Sequence, residues 1–228
     1  MFYLQAFEDT IRIHPKDQAQ PRYELLKFLI NNKLTNKIIK DIGLIICCHD
    51  ITDIFDSHIL QNDGFIAVNL NFRAVLFRPF PDEIIIGTIL KQDRSGVLIN
   101  IKFFQEIFIS KENLKEKMEY DDQHQLWNWI YEDDDDSDAD GDDDEEEDSE
   151  ENNQEKEPTK LPMRNNDEVR FVVTKIEFQD KSATQNISKV DKDLEGAKCI
   201  EEKVKDLPFV VYGSIRDECL GLLSWWSD

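Results

Sequence analysis

The chain has 228 residues, 40% of them hydrophobic, which leaves room for two compact domains rather than one. Its formal net charge of −22 looks hostile to a nucleic-acid partner, but Glu132 to Glu157 alone holds 18 acidic residues and one lysine, and the remainder, with 26 basic and 31 acidic side chains, is nearly balanced. The longest apolar run, Ile42 to Cys48, is far short of the roughly 20 residues a bilayer crossing needs, which excludes a helical membrane span.

Phe2 to Ile13, rich in aromatic and β-branched residues, reads as a first strand that stops at His14-Pro15, because proline lacks a ladder donor. Pro21 suits a first helical turn, and Leu26, Leu29, Ile30, Leu34 and Ile38 recur at three- and four-residue spacing, so a helix with one buried face is predicted next. Leu44 to Cys48 is a short apolar strand, and Gln61-Asn62-Asp63-Gly64 supplies turn chemistry. Ile66, Val68, Leu70, Phe72, Ala74 and Leu76 then alternate with a partly polar set ending at Phe77. At about 3.3 Å per residue that strand spans roughly 40 Å, enough to reach from one domain into the next.

Pro79 and Pro81 mark a break, after which strands are predicted over Glu83 to Lys91, Gly96 to Phe104 and Gln105 to Ile109, with Asp93-Arg94-Ser95-Gly96 as a hairpin turn. The acidic block repels itself and has almost nothing apolar to bury, so a disordered insertion is expected over 132–160, read as a solvated spacer. Strands at Glu168 to Phe178 and Phe209 to Ile215 bring the second set to five, the count of an OB-type barrel. Asp180 to Asp206 stays open between a short helix and a loop. The expected class is α+β: a helix on an antiparallel sheet, then a five-stranded OB barrel carrying the acidic insertion.

Candidate chemistry is sparse. Cys47-Cys48-His49-Asp50 gathers ligand types, but strand neighbours point to opposite faces, so a strand-core reading is preferred and no metal or other cofactor is expected. His14, His58 and His124 sit at no recognisable catalytic spacing, and no Gly-rich phosphate loop occurs. The four cysteines, without a Cys-x-x-Cys pair, suit a reducing compartment, and the first residues lack the basic start and apolar core of a secretory signal, so the protein is expected to stay inside the cell. OB folds bind single strands across their second and third strands through aromatic stacking and basic groups. Alternation from Gly96 sends Val97, Ile99 and Ile101 inward, so Asn100, Lys102 and Phe104 are expected outside, near Lys91, Arg94, Phe108 and Lys111. Those seven residues are the predicted RNA contact, weak and salt-sensitive because positive charge is thin.

Three stretches carry a family resemblance. They are the opening Met1-Phe2-Tyr3 through Ile11-Arg12-Ile13-His14-Pro15, the central Phe72-Arg73-Ala74-Val75-Leu76-Phe77-Arg78-Pro79-Phe80 followed by Glu83-Ile84-Ile85-Ile86-Gly87, and the late Gly213-Ser214-Ile215-Arg216-Asp217-Glu218-Cys219-Leu220-Gly221. In that order they resemble the large stalk subunit shared by archaeal and eukaryotic RNA polymerases, a tip domain followed by an OB barrel. Phe104-Gln105-Glu106-Ile107-Phe108-Ile109 and the ending Leu220-Gly221-Leu222-Leu223-Ser224-Trp225-Trp226 look most like the polymerase III version. The acidic block is longer than that family leads one to expect.

The resemblance implies a tip domain over 1–80 and a barrel domain over 81–228. It implies a tip wedged into the polymerase core, with Asp56, Gln61, Asn62, Asp63, Gly64 and Phe65 as the contact loop. It further implies a smaller stalk subunit lying along both domains, contacts with initiation factors, nascent RNA on the barrel, no catalytic site, and a nuclear location. Trp225 and Trp226 either anchor the last strand or dock on a partner, and Trp127 and Trp129 are expected to be local packing anchors. Two rival readings stay open: a free-standing OB-fold RNA-binding protein, and a hydrolase with an OB appendage.

Overall fold

The computed structural model describes residues 1–61, 63–131, 159–179 and 199–226; the expectation for the acidic insertion lies outside them except at 159–160, which begin a strand instead, and most of that for Asp180 to Asp206 lies outside them too. In chain order, β1 (Phe2–Ile13), α1 (Arg22–Leu34), β2 (Ile38–Ile39), β3 (Gly43–Ile59) and β4 (Ile66–Phe77) build the first sheet, ordered β1-β4-β3-β2. β4 is its axis. It pairs antiparallel with β1 along its whole length, Phe2 opposite Phe77 and Ile13 opposite Ile66, and with β3 on its other edge. The expected alternation holds: Val68, Leu70, Phe72, Ala74 and Leu76 are buried beneath Leu25, Leu26 and Ile30 of α1. Two polar ties fix the helix over β3, where the Cys48 amide donates to Asn31 Oδ1 at 2.7 Å and Lys27 Nζ donates to the His49 carbonyl at 2.9 Å.

Two expectations are corrected in this sheet. Ile38 leaves the helical stripe, because Asn36 at φ 62° turns the chain out of α1 and Ile38 pairs with Leu44 instead. The strand expected to end at Cys48 runs on to Ile59, since β4 offers it an unbroken hydrogen-bonding partner; four register irregularities absorb the mismatch.

The second unit comprises β5 (Ile84–Asp93), β6 (Gly96–Ile101), β7 (Phe104–Ser110), β8 (Met118–Asp121), β9 (Leu126–Tyr131), β10 (Thr159–Pro162), β11 (Glu168–Phe178), α2 (Ile200–Val204), β12 (Phe209–Ser214) and β13 (Gly221–Leu222). β5, β6 and β7 form an antiparallel meander, β12 lies parallel to β7, and β11 pairs with both β12 and β5, closing a five-stranded barrel. The meander turns tightly at Gly96, whose φ of 153° and 2.1 Å approach of a hypothetical Cβ to the Ile109 carbonyl oxygen leave no room for a side chain. Ile89, Val97, Ile99, Phe171 and Val211 fill the interior. β4 delivers Phe77 into that same core, its ring centroid 5.2 Å from Phe104 and 6.4 Å from Phe209, so the long strand ends as a plug between the sheet and the barrel.

β8, β9 and β10 form a separate three-stranded sheet that the sequence did not suggest. One buried side chain fastens it to the barrel. Gln92 Nε2 donates to the Met163 carbonyl at 2.9 Å and to Asn165 Oδ1 at 3.3 Å, while its Oε1 accepts from the Trp127 amide at 3.1 Å. The Trp127 indole adds a bond to the Asp93 carbonyl at 2.9 Å, so Trp127 is a packing anchor as expected.

Candidate functional site

The seven residues predicted to meet RNA do not form one patch. Lys91, Arg94 and Lys111 are exposed near the β5–β6 turn, where the Lys111 amide donates to the Ser95 carbonyl at 3.0 Å. Lys102 sits at the other end of β6, and six residues at about 3.3 Å each place it roughly 20 Å away. Arg94 is engaged by Asp122 through two bonds of 2.7 Å, and that carboxylate raises its pKa. Asn100 is half-buried and its Oδ1 has no hydrogen-bond partner.

Phe104 and Phe108 were expected on the outside, and both are buried. The reasons differ. A two-residue turn at Lys102-Phe103, with Lys102 at φ 37°, resets the alternation, so Phe104 faces Ile101 across the hairpin and points into the barrel. The exposed aromatic of that turn is Phe103. Phe108 does point outward, but α2 lies over it and joins it with Val204 and Val210 in a small apolar cluster. Asp93 holds α2 there, its Oδ2 accepting from the Ile200 amide at 2.6 Å while its Oδ1 accepts from Ser95 and Gly96 amides at 2.8 and 3.1 Å. On β7, Glu106 has a buried Oε2 without a partner, and burial pushes its pKa up to about 7. The Phe108 end of the face that OB folds often use for ligands is therefore covered by the chain's own helix.

In the expected core-contact loop, Asp56 belongs to β3 and only the stretch after Ile59 turns. Gln61, Asp63 and Gly64 are exposed at the tip, Phe65 packs edge-on against His14 at 5.0 Å, and Asn62 lies outside the described residues. Sequence reasoning missed the apolar residues beside that loop: Ile54, Phe55 and Ile59 are exposed on the outer half of β3. The available signal was Ile54-Phe55 in a stretch with nothing opposite to bury it.

Trp225 is half-buried against Trp129, ring centroids 4.8 Å apart, whereas Trp226 is exposed. In the Cys47 to Asp50 run the faces alternate, Cys48 buried and Cys47 exposed, and Asp50 is taken up by Arg73 Nε at 2.9 Å. That guanidinium, aided by His49, holds the Asp50 carboxyl far below the usual carboxylate range. The cluster is an ion-pair network on a strand.

Two family descriptions match the chain. RNA polymerase III subunit Rpc25 covers residues 83–226, and the SHS2 domain found in the N terminus of Rpb7p/Rpc25p/MJ0397 covers residues 8–64. The chain belongs to the Rpc25 family of RNA polymerase III stalk subunits. DNA-directed RNA polymerase III subunit RPC8 of Bos taurus is 35% identical over 228 residues, covering 100% of this chain and 99% of that protein. The RPC8 protein of Schizosaccharomyces pombe is 31% identical over 226 residues, 99% of this chain and 100% of its own length. The likeness to RNA polymerase II subunit RPB7 of Saccharomyces cerevisiae is more limited, 26% over 113 residues, or 49% of this chain and 66% of RPB7.

Proposed function

We propose that this chain is the large stalk subunit of nuclear RNA polymerase III and acts by recognition, with no active site of its own. It divides near Phe80 into a tip domain and a barrel domain. The tip meets the polymerase core through the β3–β4 loop and the exposed Ile54, Phe55 and Ile59 beside it. The smaller stalk subunit lies across both domains, initiation factors meet the stalk from outside, and the barrel receives nascent RNA.

One observation carries this reading. An apolar surface crosses from the first sheet to the barrel: Phe2 packs at 5.7 Å on Phe103, and Ile84 and Ile86 point outward from β5 beside that turn, 61% and 49% exposed. A surface of that kind is costly to leave in water and marks an obligate partner. Co-expression with the smaller stalk subunit tests it. The pair should co-purify at equal amounts, and Ile86→Asp with Phe103→Asp should abolish the pairing while leaving the circular dichroism spectrum unchanged. Stable pairing of the doubly substituted chain would reject this surface.

A further inference from the structure

The end of β9, the stretch just before β8 and the loop after β12 enclose an open groove of about 470 Å³, lined among others by Lys115, Lys117, Trp129, Tyr131 and Arg216. Trp226 lies beside it across Lys115, whose Nζ stands 5.0 Å from the ring centroids of both Trp129 and Trp226.

Its aromatic rings are held in place. Trp225 backs Trp129, and the chain passes under Trp225 at Gly221, where φ is 111° and a Cβ would come within 2.4 Å of the indole. Lys115 is fixed between two ring faces and donates to the Asp217 carbonyl at 3.4 Å; burial there pushes its pKa down. Tyr131 and Trp226 remain 44% and 45% exposed, so each has a face for a ligand. Arg216 Nη2 is 3.8 Å from Glu116, a carboxylate so exposed that water screens the pair and an incoming phosphate displaces it at small cost.

Exposed ring faces with cations beside them suit a base and its phosphate. A protein ligand would call for a broader apolar area than two rings provide. The acidic groups Glu116 and Asp217 on the rim, and the acidic run that begins in sequence at Glu132 next to Tyr131, limit the contact to a nucleotide or two. We propose that this groove and the Trp226 ring beside it are a single-stranded RNA contact of the barrel, with bases stacked on Trp226 and Tyr131 and a phosphate on Arg216. The inference rests on the reading that the barrel receives RNA, and it moves the contact from the β6–β7 face, where α2 covers Phe108, to the β9 edge.

Fluorescence anisotropy of a labelled oligouridine of about ten nucleotides, titrated with the full-length chain paired to the smaller stalk subunit at low salt, provides the test. Trp226→Ala should weaken binding roughly tenfold, as loss of one stacked base does, and Trp226→Phe should restore most of it. Arg216→Ala should lower the slope of log affinity against log salt by about 0.7. Lys102→Ala with Lys111→Ala should change affinity less than about twofold, within the effect of losing distant charge. Binding lost only in the Lys102/Lys111 variant, or lost equally in all variants, overturns the groove and leaves the RNA reading standing. No binding by the unsubstituted pair overturns both.

Discussion

Replacing Gln92 by leucine should loosen the three-stranded sheet from the barrel. Gln92 is only 9% exposed, and its amide serves the Trp127 N–H and the Met163 carbonyl, both belonging to buried residues. Leucine has nearly the same volume, so no cavity opens, but those two backbone groups lose their partners in a dry site. Each costs about 1–3 kcal/mol when orphaned, offset by about 1 kcal/mol from the apolar side chain, for a net loss of about 1–5 kcal/mol. That is a large share of the ~5–15 kcal/mol that holds a typical domain. Urea unfolding followed by tryptophan emission should show the midpoint falling. Amides in 118–131 should exchange with deuterium faster, while those of α1 and β4 keep their protection. A loss below about 0.5 kcal/mol, or faster exchange spread evenly over the chain, would refute the fastening role.

Glu106 gives a pH signature. Burial lifts its pKa from 4.5 to about 7, so between those values the folded chain holds a proton that the unfolded chain has released. Stability from this group is full below pH 4.5 and falls by about 3 kcal/mol as the pH rises through 7. Glu106→Gln should therefore melt above the parent at pH 8 and level with it near pH 4.5; a difference independent of pH would sink the assignment. Asp93→Ala removes the acceptor for three amides and should release α2, seen as faster exchange at 200–204 and binding of an apolar dye to the uncovered Phe108; Asp93→Asn keeps one acceptor oxygen but turns an NH2 toward the other site, so it should spare either the turn or the α2 amide and not both. Unaltered exchange at α2 would show that apolar contact alone holds it.

The legible parts of this fold were those written in local pattern. β1, β4 and the barrel meander follow from alternation and turn chemistry, and α1 from its spacing of leucines and isoleucines, because each buries one face against a partner that the pattern itself demands. What escaped depends on distant residues. The β8–β10 sheet consists of short, partly polar strands held by Gln92, a side chain that reads as an ordinary surface glutamine in sequence. α2 is five residues long and stands because Asp93, more than a hundred positions earlier, accepts from its first amide. The expected exposure of Phe104 and Phe108 failed for a related reason: the register was carried through a turn at Lys102-Phe103 that resets it, and the cover over Phe108 came from a segment without a periodic signal. The groove at Trp129 and Trp226 joins residues from widely separated parts of the chain, so no spacing rule announces it.

Purification of the tagged chain from nuclei, with its companions identified and quantified by mass spectrometry, tests the assignment to a stalk most directly. The subunits peculiar to RNA polymerase III, together with one smaller stalk subunit per chain, should be recovered, and Ile86→Asp with Phe103→Asp should lose that smaller subunit first. Recovery with a different polymerase, or with no polymerase at all, would contradict it.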